Sequence, residues 1–171
     1  MGIVIEESGE QFGPFKHENF FYIEKSKFYD NGAKGLKTVE FVLVDSKKTN
    51  LVLVEAKTSA PNVNNPGSVN DVENYILDIE RKFYHSLAST VGLVTGRHKD
   101  YVAEFPENMK SIKYKDIKII LYLVITSFKE EWLSDWKDLL NRELSGFKRA
   151  WNIDEIYVLN TNLAKEMKLI V

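Results

Sequence analysis

Between Leu36 and Pro61 the chain reads LKTVEFVLVDSKKTNLVLVEAKTSAP, two apolar, β-branched runs on either side of a polar turn. That pattern predicts a β-hairpin. Inside the two runs stand three charged side chains, Glu40, Glu55 and Lys57. A charge within a strand that otherwise reads as core is costly unless it is paired or bound to a metal. A hairpin that accepts this cost three times is using the groups, as ion pairs or as ligands.

The numbering gives a register. With Lys47 and Lys48 as the central turn residues, Asp45 faces Asn50, Val44 faces Leu51, Val42 faces Leu53 and Glu40 faces Glu55. Directly opposed residues of an antiparallel pair share a face, with Cβ atoms roughly 4.5–5.5 Å apart. Side chains alternate along a strand, so Lys57 lies on the face of Glu55. Two carboxylates and an ammonium are thereby gathered in one patch. Opposed like charges are destabilising unless neutralised, and a divalent cation held by oxygen ligands would neutralise them.

This arrangement resembles the catalytic hairpin of the PD-(D/E)XK nucleases, the restriction-endonuclease-like superfamily. There an acidic residue on one strand and a D/E-x-K on the next bind Mg²⁺. The match here is Glu55-Ala56-Lys57 with Glu40 upstream, and it extends over the hairpin and the helix that follows. The family's upstream acid is usually Asp, often after Pro, whereas here it is Glu after Val39. Asp45 is the rival for that role. In the register above it lies on the opposite face, and five residues along a strand put it about 16 Å from Glu40. A one-residue slip would reverse the choice. Glu40 is preferred. The resemblance implies Mg²⁺, with Mn²⁺ as a substitute, held by Glu40, Glu55 and the Ala56 carbonyl. It further implies that Lys57 orients or helps deprotonate the attacking water, and that the reaction is hydrolysis of a phosphodiester bond. Glu24, on a predicted first strand beside Glu40, is a candidate third acid; an edge-strand surface glutamate is the favoured reading.

The tripeptide alone carries little weight. D/E-x-K also occurs at Asp45, Glu80, Asp116, Asp135 and Glu166. Two of these fall on predicted helices, where positions i and i+2 do not face each other. Only Glu55–Lys57 combines a hairpin, apolar neighbours and an opposing acid. Glu80 and Lys82 flank the apolar stripe of the first predicted helix, so one of them can approach the site, although solvated helix-face charges are the favoured reading.

The chain has 171 residues, enough for one domain with a proper core. It has no cysteine, which excludes disulfides and thiolate chemistry and favours a cytoplasmic protein. No apolar run approaches the ~20 residues that span a bilayer. The net charge of −2 argues against indiscriminate coating of nucleic acid. A local basic rim could still serve a nuclease, and Lys110, Lys113, Lys115 and Lys118, interleaved with Tyr114, are the candidates. The plainer reading of that stretch is a solvated loop. The three histidines show no ligand spacing, and neither a P-loop nor a G-x-S-x-G elbow is present.

Along the chain, residues 1–18 read as a loose arm or short edge structure. Residues 20–26 read as a first strand, followed by the hairpin and then by a loop, SAPNVNNPGS. An amphipathic helix is expected over 70–89, opened by a loose capping box, Asn70 to Glu73. Residues 92–116 are irregular. A doubly buried strand is expected over 117–126, a continuous helix over 130–151, a last strand over 153–159 and a short helix after it. The order predicts a single α/β domain, a mixed central sheet flanked by helices, with a restriction-endonuclease-like core. The functional expectation is a Mg²⁺-dependent nuclease acting on nucleic acid, DNA before RNA, in defence or repair, with homodimerisation open. The alternative is a non-catalytic nucleic-acid-binding or assembly module on the same fold.

Overall fold

The hairpin forms in the register its sequence predicts. In the computed structural model, which describes residues 2–171, β4 (Phe41–Val44) pairs antiparallel with β5 (Asn50–Lys57), Val42 opposite Leu53 and Val44 opposite Leu51. Four further strands are β1 (Ile3–Glu7), β2 (Glu10–Phe15), β3 (Phe20–Phe21) and β6 (Lys118–Ile125), and β7 is Glu155–Leu159. The main sheet runs β3-β4-β5-β6-β7. Its first three strands are antiparallel neighbours, and β6 and β7 run parallel to β5. The fold is therefore α/β with a mixed five-stranded sheet.

Parallel strands need a crossover, and helices supply both. The chain passes from β5 to β6 through α1 (Val69–Val94) and the short α2 (Glu107–Lys110). It passes from β6 to β7 through α3 (Leu133–Glu143) and α4 (Ser145–Trp151). Alternation in the strands decides what these helices cover. Leu51, Leu53, Leu121, Leu123 and Ile156 turn to one face and pack with Ile79, Phe83 and Leu87 of α1 and Trp136 and Leu140 of α3. The other face, with Phe41, Val52, Val54 and Val124, is covered by Ile5 and Phe12, by Ala164 of α5 (Thr161–Glu166), and by Leu169 and Ile170.

Four expectations need correction. Of the two readings of the first stretch, a loose arm or short edge structure, the loose arm does not hold for the described residues: β1 and β2 form a hairpin over the two-residue turn Ser8-Gly9, both with positive φ (51° and 81°). That is the backbone a tight hairpin turn demands. The first main-sheet strand is only Phe20–Phe21, after which Ile23–Lys25 curls into a 3₁₀ turn. The helix expected over 130–151 breaks at Leu144, whose φ of −85° and ψ of 11° leave the helical region, with Gly146 just beyond. The helix α1 exceeds its expected bounds, and its N-cap, Ser68, makes no side-chain cap, so the capping box does not form.

Candidate active site

Along β5 the face that carries Leu51 and Leu53 into the core ends in Glu55 and Lys57. The carboxylate of Glu55 is wholly buried. Glu40, also buried, stands one residue before β4, where the register carries on from Phe41–Val54 to set it opposite Glu55. The middle turns of α1 pass over this end of β5 and add Asp78 and Lys82.

Lys82 Nζ lies 2.8 Å from Glu55 Oε1 and 3.8 Å from Glu40 Oε1. Lys57 Nζ lies 3.2 Å from the same Glu55 oxygen and 3.4 Å from Asp78 Oδ2. Asp78 is paired in turn with Lys37. Both ammonium groups reach Glu55 Oε1, whereas Glu55 Oε2 and Glu40 Oε2 are buried without a donor. The Tyr75 hydroxyl, buried nearby, lacks a partner as well.

A second group of acids adjoins Glu40. Glu7 at the end of β1, Glu24 in the 3₁₀ turn and Glu40 each bring one carboxylate oxygen within 4.8 Å of the others. The Tyr22 hydroxyl donates to Glu7. Glu40 thus joins two clusters, Glu7–Glu24 on one side and Glu55–Lys82 on the other.

Protonation follows from this crowding. Burial pushes the Glu40 carboxyl up to about 9, helped by a hydrogen bond with Glu24 and the charges of Glu55 and Glu24. Burial also raises Glu55, against the pull of Lys82 and Lys57. Burial works to lower Lys82, but Glu55 and Glu40 outweigh it and hold the ammonium above its ordinary range. Asp78 is raised by burial, yet Lys37 and Lys57 carry it below the usual carboxylate value.

These residues fit a hard divalent cation, which takes oxygen ligands. Buried carboxylate oxygens normally have hydrogen-bond donors, and two here, Glu55 Oε2 and Glu40 Oε2, have none. The Ala56 carbonyl suits the same set. Asn50 accepts from Asp45 on the β4 side and Lys57 from Thr126 on the β6 side, so by alternation the Ala56 carbonyl turns toward β4. There it lies past the last pair, Phe41–Val54. The Val39 N–H that would continue the ladder is donated to Ser86 Oγ at 2.8 Å instead.

Of the residues singled out in the sequence, Glu40, Glu55, Ala56 and Lys57 meet at one place, and Glu24 joins them next to Glu40. Asp45 does not. Its carboxylate accepts from the N–H groups of Thr49 and Asn50 and from both their side chains, at 2.7–3.1 Å, and closes the hairpin loop. Those bonds hold it below its ordinary value despite partial burial. Lys110, Lys113 and Lys115 are also misplaced as a rim. They precede β6, and β6 runs parallel to β5 with Lys118 beside Asn50. They therefore lie at the start of β5, whereas Glu55 and Lys57 lie at its end; Lys110 pairs with Glu107.

Asp78 and Glu7 escaped the sequence reading, and of the pair Glu80 and Lys82 the structure brings Lys82 to the site against the favoured solvated reading. Lys82 is not a solvated helix charge, since its side chain is only 13% exposed. Its signal was spacing: it follows Tyr75 by seven and Ile79 by three, within the apolar stripe. Asp78 lies beside that stripe, and Glu7 was hidden in the stretch read as an arm or short edge structure. Comparison of the chain with protein-family models, with curated proteins and with solved structures returns no match.

Proposed function

We propose that this protein is a metal-dependent nuclease that hydrolyses phosphodiester bonds in nucleic acid, DNA before RNA, with a PD-(D/E)XK-like site on its α/β fold. The observation that carries the reading is the set of buried carboxylate oxygens on Glu40 and Glu55 that have no hydrogen-bond donor, next to two lysines. The antiparallel β3-β4-β5 meander followed by a helical crossover to a parallel strand is compatible with it.

Glu40, Glu55 and the Ala56 carbonyl would hold Mg²⁺, with Glu24 and Glu7 as further oxygen donors on the far side of Glu40. When bound, the cation supplies Lewis acidity: it activates water and offsets charge on the phosphate. Lys57 is steadied between Glu55 and Asp78, and its side chain is 28% exposed, so its ammonium can meet a phosphate oxygen at the mouth of the site. A fixed ammonium there stabilises charge that builds during hydrolysis without reorganising. Burial of Glu55 and Tyr75 keeps water from the inner side.

The test is cleavage of linear and single-stranded DNA with Mg²⁺ or Mn²⁺ and with EDTA. Cleavage is expected only with metal. It should fall roughly 100-fold or more in Glu55→Gln and in Lys57→Ala. A folded wild-type protein that neither binds metal nor cuts removes the proposal. One observation favours the second reading, a non-catalytic module: two ammonium groups already oppose the Glu40–Glu55 pair.

A further inference from the structure

We infer that the Lys82 ammonium sits where a divalent cation goes, and that metal loading requires its displacement; this rests on the metal-dependent reading above. The first argument is position. A cation bound to oxygens of both Glu40 and Glu55 stands about 2.0–2.6 Å from each. Lys82 Nζ occupies that gap, 2.8 Å from one carboxylate and 3.8 Å from the other. Among the described residues no other ammonium reaches both.

The second argument is charge. The buried Glu55 carboxylate already lies within reach of two ammonium groups, Lys57 and Lys82. A divalent cation on that carboxylate would stand within a few ångströms of both ammonium groups, and like charges that close repel strongly where water is shut out. Uncompensated charge is expensive in such a place. One ammonium must withdraw, and the geometry chooses between them. Lys57 has a second anchor in Asp78 and stands at the open side. Lys82 has only the carboxylates that the metal would claim. Its flexible four-carbon stem lets the charge swing away while α1 stays in place.

The arrangement lets the chain fold without metal, its acids already neutralised, and sets metal affinity by the cost of expelling Lys82. Two measurements test it. The first is Mn²⁺ binding by electron paramagnetic resonance in wild type and Lys82→Met. The variant should bind at least about fivefold more tightly, the lower range for coupled sites, and be less stable than wild type in EDTA. The second uses wild-type protein alone: reductive methylation of lysines read by mass spectrometry. Lys82 should be protected in EDTA and become modified when Mn²⁺ is bound. Equal or weaker Mn²⁺ binding in Lys82→Met overturns the inference and leaves the metal reading standing. So does a Lys82 that stays protected with Mn²⁺ bound, which decides the matter should the variant fail to fold. If neither protein binds Mn²⁺, both readings fall.

Discussion

A carboxylate as deeply enclosed as that of Glu55, with one oxygen near two ammonium groups and the other without a donor, is poorly satisfied for a purely structural group. Asp45 makes the contrast within the same hairpin. Its four hydrogen bonds close the loop and leave its oxygens well supplied. Asp45→Ala should therefore cost about 1–3 kcal/mol of stability by urea unfolding, the range for hydrogen bonds to a charged group. Mn²⁺ affinity should stay as in wild type; a loss of binding would return Asp45 to the site. Glu40 gives a pH signature. In the folded chain its proton is held up to about 9, against an ordinary value of 4.5. Between those values the folded state binds more protons than the unfolded one, so the Glu40 contribution to stability declines as pH rises through that window. Asp45 and Asp78, both lowered, act in the other direction and lose their contribution only on acidification. Urea midpoints of the metal-free protein should thus fall between about pH 5 and about pH 9, and Glu40→Gln should flatten the decline. An unchanged slope in that variant would mean that Glu40 does not hold the proton.

At the scale of elements, what the sequence revealed depended on how local the determining force was. The β4–β5 register was legible because a polar turn and two alternating runs define it within a few residues. With it came the meeting of Glu40, Glu55 and Lys57. Whether Glu80 or Lys82 turns to the site, or neither, depends on where α1 lands on β5, a tertiary matter that spacing alone does not decide. The lysines before β6 went astray for want of one fact: a strand parallel to β5 must begin where β5 begins. The broken helix is a subtler case. Apolar spacing runs through 130–151 without interruption, and only Gly146 hinted at the break. That glycine is exposed, has no positive φ, and a Cβ there would meet nothing within 4 Å. Gly146→Ala should accordingly raise stability by about 0.5–1 kcal/mol, from the smaller entropy lost on folding. A thermal melt that shows destabilisation instead would mean that the break needs glycine.

Across the whole molecule, the site lies where three separate stretches converge: the hairpin of β1 and β2 with Glu7, the meander with Glu40 and Glu55, and α1 with Lys82. The first of these reads in the sequence as a loose arm or short edge structure, so its attachment decides whether the site is one cooperative unit. Phe12 is fully buried and meets Phe41 edge-on, with ring centroids 5.5 Å apart. It also bridges to Ile170, and Gly13 N–H donates to the Leu169 carbonyl at 2.9 Å. The β1–β2 hairpin and residues 169–171 thus close together over the second face of the sheet. If that closure is part of the global fold, Phe12→Ala should cost about 3–5 kcal/mol, the usual loss for a buried phenylalanine. It should shift the single urea transition as a whole, and the amides of β1 and β5 should exchange with similar protection factors. If the hairpin were an independent arm, the main transition would stay where it was and only residues 3–15 would exchange faster. Because Glu7 and the Tyr22 hydroxyl meet across that boundary, the first outcome would also make the acidic cluster around Glu40 as durable as the sheet itself.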